Sequence, residues 1–126
     1  MVVKSGFVCS SVLMSTLPEE YLLGVELFNS GKFFDCHEAW EIVWLNAAGD
    51  DREFLHAMIQ VAAALHHVQR GNLKGADSVG RRAMGKLALL PAEVMRLDTG
   101  KFRSSLGNFL AQLSPPFPKI KLQGED

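Results

Sequence analysis

Cysteine is scarce in this chain: Cys9 and Cys36 are its only two, with no CxxC pair and no dense spacing. That scarcity excludes a disulfide-built scaffold and a cysteine zinc site, and it makes a reducing cytoplasm the expected compartment. Long apolar runs are also missing. The opening MVVKSGFVCSSVLMS holds one lysine and a short apolar run broken by serines, a poor secretion signal and too short to span a bilayer. No membrane partner is expected, and residues 1–14 read as a loosely ordered extension ahead of the first helix signal. Alternating apolar and polar positions, the mark of a strand, are lacking throughout. No glycine loop cradles phosphate either: Gly71, Gly75, Gly80 and Gly85 match no P-loop or dinucleotide fingerprint, and their spacing suits close helix packing.

What is present is a globular composition, 48% hydrophobic and 21% charged over 126 residues. That length suffices for one domain whose core needs no disulfide or structural metal. The net charge of −1 conceals a division. Residues 17–60 carry nine acids against Lys32 and Arg52, a net −7, whereas residues 61–113 carry eight bases against Asp77, Glu93 and Asp98, a net +5. The bases stand at scattered helical positions without interleaved aromatics, so no nucleic-acid partner is expected and the reading preferred is an acidic half docked on a basic half.

The periodicity predicts an all-α fold of about five helices. Thr16, Pro18 and Glu19 form a capping-box pattern opening a helix over about 17–29. A second helix covers about 33–47. Asp50 or Asp51 caps a third that reaches about Arg70 and is apolar nearly all round, which makes it the central helix. A fourth runs over about 73–90 and a last over about 100–113. Pro115, Pro116 and Pro118 then impose an extended tail from 115 to 126, whose Phe117, Ile120 and Leu122 can lie back across the bundle. The single helical domain is thus placed at 15–114. SGKFFDC at 30–36 echoes RGNLKGA at 70–76, each a helix end, a glycine, an apolar residue and then a small one. Two stacked helical hairpins with tetratricopeptide-like turns follow from that echo.

The chemistry concentrates in FFDCHEAWEIVW at 33–44. With about 100° per residue, His37, Glu41 and Trp44 share one stripe, flanked by Trp40. In the third helix His56, Gln60, Ala63 and His67 form another line. Facing each other, the two lines would make a polar pocket of His37, Trp40, Glu41, Trp44, His56, Gln60 and His67, with His66 the alternative to His67. Cys36 beside His37 is not a nucleophilic dyad, because adjacent helical residues diverge. Two readings use the same residues. In one, Glu41 accepts from His37, from a Trp40 or Trp44 indole and from Gln60 in a buried network that fixes the register of the hairpins. In the other, His37 and Glu41 clamp a divalent ion, with a helix-three histidine as the third ligand.

LFNSGKFFDCHEAWEIVW and MIQVAAALHHVQRGNLKGA, at their separation in this chain, resemble the helical bacterial and archaeal proteins known as domain of unknown function 309. The resemblance spans about residues 17–113. It implies a small fold of stacked hairpins with no assigned reaction, and it implies metal ligation for an HxxxExxW signature, which falls here on His37 and Glu41. The candidate metal set is therefore His37, Glu41 and His67, with zinc, manganese or iron as the cofactor, although the resemblance points to His66 as much as to His67. The expected function is a module binding a small ligand or a protein partner, a second copy of the chain included. The alternatives are a metal-dependent hydrolase using His37 and Glu41, with Glu38 near the mouth, and a structural scaffold.

Overall fold

The computed structural model describes residues 17–124. The expected extension at 1–14 and the Thr16 cap lie outside the described residues. Five helices run in order: α1 Glu19–Asn29, α2 Phe33–Trp44, α3 Gly49–Gln69, α4 Leu73–Leu87 and α5 Thr99–Leu110. Each packs on the next, so α1 and α2 form one hairpin, α3 and α4 a second, and α5 closes against α4. The all-α reading and the stacked hairpins are as the sequence predicts.

The echo between 30–36 and 70–76 is reproduced in hydrogen bonds. Gly31 and Gly71 both have φ of 79°, a value that disfavours a side chain. Lys32 N donates to Leu27 O at 2.9 Å, and forty residues on Asn72 N donates to His67 O at 2.9 Å, the long bond that ends a helix in a left-handed cap. The small residues that follow, Cys36 and Ala76, are wholly buried where the next helix turns inward.

Helix α3 is central. Phe54, Leu55, Ala57, Met58, Val61, Ala62, Ala64 and Leu65 on it are all shut off from solvent. Around them stands a ring-on-ring cluster: Phe28 packs against Phe33, Trp40 and Phe102, while Tyr21 packs against Trp40 and Phe54. The tail lies back over the bundle. Phe117 sits between Phe33 and Phe109, and Ile120 and Leu122 are buried.

Several expectations need correction. A two-stranded antiparallel hairpin, β1 Glu93–Val94 with β2 Leu97–Asp98, interrupts the helices. Two residues per strand are too few to show alternation. Its turn residues Met95 and Arg96 take φ of 48° and 66° without the Gly or Asn that would announce such a turn. Helix α2 stops at Trp44 rather than 47, where Arg52 of the next helix takes up the freed carbonyl of Trp44 at 2.9 Å. Helix α4 stops at Leu87, short of 90, in tightened turns. No side chain caps α3; Asp50 and Asp51 lie in its first turn instead. Of Gly75, Gly80 and Gly85, only Gly80 meets a neighbouring helix, at Leu110. The charge division does not dock the halves either: among the described residues one ion pair crosses between them, Lys86 to Glu53 at 4.0 Å, while Arg81 pairs with Asp77 on its own helix.

Candidate binding seam between α2 and α3

Two ring contacts fix how α2 meets α3. Phe34 lies 5.7 Å from His66 and Trp44 lies 6.0 Å from His56, measured between ring centroids. The helices therefore run antiparallel. That register brings His37 to the level of Ala63, and Glu41 to the level of Ile59 and Gln60. The helices that bear the two stripes therefore pack side by side, in contact at Phe34 on His66 and at Trp44 on His56.

The seam is a partly open surface rather than an enclosed pocket. His37 Nε2 lies 3.7 Å from Glu41 Oε2, with side-chain exposures of 30% and 51%. Phe34 stacks nearly parallel on His37, at 8° between planes, and is itself largely exposed. Trp44 is half-buried and carries the Arg52 guanidinium 4.1 Å above its ring. One polar atom on each helix is buried with no hydrogen-bond partner: His37 Nδ1 on α2 and Gln60 Oε1 on α3. A buried polar atom left unpaired costs about 1–3 kcal/mol, so such atoms call for a reason.

Two expected members stand elsewhere. Trp40 is fully buried in the core, where its indole N–H donates to Tyr21 O at 3.1 Å, and its ring fills the space left by the missing side chain of Gly24. Of the two indoles expected beside Glu41, Trp40 is thus committed to α1. His67 is drawn to the end of α3, where Nδ1 stands 3.3 Å from Asn72 Nδ2, whereas His66 touches Phe34. Between the two histidines, contact with α2 thus favours His66. Cys36 points into the core, and burial raises its thiol far above the ordinary range, so it is no nucleophile.

A metal centre asks more of the chain than the seam supplies. Among the described residues no three His, Cys, Asp or Glu side chains gather closely enough to hold an ion. His37 and Glu41 are two donors where zinc takes three or four. The set does not fit a metal centre within one chain.

Sequence reasoning missed Phe34 and Arg52. Phe34 precedes His37 by three positions, so the same helical spacing that picked out Glu41 could have found it. Arg52 had no local signal, because it reaches Trp44 only after the chain has turned.

Comparison with known proteins places these features in a family. The model of a domain of unknown function (DUF309) matches residues 21–79, a span containing every residue of the seam. An uncharacterized protein of Aquifex aeolicus (strain VF5) is 27% identical over 103 residues, covering 79% of this chain. The chain spans only 31% of the length of that relative. The crystal structure of a conserved hypothetical protein from Thermus thermophilus is similar with a TM-score of 0.65 and 30% identity, over 76% of this chain and 99% of the other. Neither relative carries a function in its name. Among the described residues, no helix is long and apolar enough to cross a membrane.

Proposed function

The chain belongs to the DUF309 family, and from that premise we propose that it is a binding module whose α2–α3 seam recognises a donor-rich cationic group: an ammonium, amidinium or guanidinium. The reading rests on two buried, unpartnered atoms, His37 Nδ1 on α2 and Gln60 Oε1 on α3, together with the Glu41 carboxylate beside His37. When His37 Nε2–H is directed at Glu41, Nδ1 is an acceptor. Gln60 Oε1 and Glu41 are acceptors as well. Three acceptors and one negative charge on one seam match a ligand that brings several N–H donors. Flat rings line the approach, Phe34 on one side and Trp44 with His56 on the other, and rings attract cations over their faces. Arg52 over Trp44 is an internal example of that contact. The net −7 of residues 17–60 favours the same class of ligand.

Binding is preferred here to hydrolysis because the seam offers two metal donors and no activated nucleophile. The free, buried thiol of Cys36 suits a cytoplasmic setting.

Benzamidine, an amidinium on a flat ring, is a direct probe. Titrated into the labelled protein, it should shift the Phe34, His37, Gln60 and Trp44 signals saturably, and Glu41→Gln should weaken binding about tenfold or more. Benzyl alcohol binding equally well, or no saturable shift at the seam, would overturn the reading. Zinc or manganese titrated in parallel gives the competing outcome, stoichiometric metal binding lost in His37→Ala.

A further inference from the structure

A cleft lies outside the family-matched segment, between α5 and the C-terminal tail. We propose that it binds a small organic anion, a phosphate or carboxylate carried on an apolar body.

The cleft has a volume of about 470 Å³, within the range that accommodates small ligands. Lys101, Lys119 and Lys121 line it, with the Ser105 hydroxyl beside them. Its apolar lining comes from Leu97, Phe102 and Leu122, each nearly inaccessible to solvent. Cations along the rim and apolar carbon beneath are the arrangement an amphipathic anion requires. One acid, Asp98, also borders the cleft, but its Oδ1 caps α5 by accepting from Lys101 N at 2.9 Å. Among the described residues no carboxylate pairs with Lys101 or Lys121. Lys119 donates to Asn29 O at 2.7 Å and so holds its charge at the edge of the cleft.

The wall is held in place from both sides of Lys121. Asn29 exchanges two hydrogen bonds of 2.8 Å with the Ile120 backbone. Two positions beyond Lys121, the Arg96 guanidinium donates twice to Gln123 O, at 2.9 and 2.6 Å, and Gln123 N returns a bond to Arg96 O. The residues between alternate, with Ile120 and Leu122 turned into the core and Lys119 and Lys121 outward. Binding to a wall already ordered in this way incurs little further loss of chain entropy. The positive-φ turn at Met95 and Arg96 serves to present Arg96 to the tail.

Phenyl phosphate tests the proposal on the full chain, with inorganic phosphate and benzyl alcohol as its separate halves. Phenyl phosphate should bind saturably with a Kd below about 1 mM, more tightly than either half, with shifts centred on Lys101, Ser105 and Lys121. Lys121→Glu should weaken it at least about tenfold, and Lys101→Glu provides the same reading should the first variant fold poorly. Arg82→Glu, on the exposed face of α4, should leave it unchanged. Equal weakening by Arg82→Glu would show attraction to general positive charge, and non-saturating or scattered shifts would show no site; either result overturns the proposal.

Discussion

The inner and outer faces of α2 carry tryptophans one helical turn apart, and they are built on opposite terms. Trp40 on the inner face has no solvent exposure, stacks on Phe28 and has its one donor satisfied by Tyr21 O. Trp44 on the outer edge is half-buried, lies under Arg52 and borders a seam that leaves two buried polar atoms unpaired. Complete satisfaction is what a fold selects for; incomplete satisfaction beside an exposed carboxylate is what a binding surface retains. The difference separates the face of α2 that holds the domain together from the edge where ligand binding is proposed.

Substitutions in the core and at the seam should therefore differ in sign. The largest effect is expected on the inner face: Trp40→Ala should lower stability by about 3–5 kcal/mol, read by chemical denaturation, since it empties the centre of the aromatic cluster. Gly24→Ala should follow at about 1–3 kcal/mol, because the added methyl would overlap the Trp40 indole. At the hairpin turns, Gly31→Ala and Gly71→Ala should each lose about 1–2 kcal/mol, and equally, since both glycines share a φ of 79° and the same bonding pattern. A clear inequality would mean that the two hairpins are less alike than their turns. The smallest effect, and the only favourable one, is across the seam on α3, where Gln60→Leu should raise stability by up to about 1 kcal/mol by removing a buried unpaired oxygen.

The helical hairpins were legible because periodicity and glycine punctuation are local. Leu17, Tyr21, Val25 and Phe28 recur as a buried face would, and Gly31 and Gly71 mark the turns without reference to anything distant. The packing of α2 along α3 was legible for the same reason, as Phe34–His66 and Trp44–His56 show at its ends. Trp40 was misplaced because its partner, Tyr21 O, belongs to another helix, and a side chain on the border of two faces is assigned by its neighbours rather than by its angle on the wheel. The choice of His66 over His67 turned on contacts of the same kind. The β-hairpin and the lysine cleft depend on the return of the tail, with Arg96 meeting Gln123 and Asn29 meeting Ile120 across long separations. Only the apolar Phe117, Ile120 and Leu122 of the tail hinted at that return.

The central claim, that the seam gives up stability to keep acceptors ready for a cation, is tested most directly by thermal midpoints of the native chain and of Gln60→Leu, each with and without millimolar benzamidine. The midpoint should rise by a few degrees in the variant alone, and benzamidine should raise that of the native chain but not that of the variant. A variant that melts lower than the native chain while responding equally to benzamidine would contradict it.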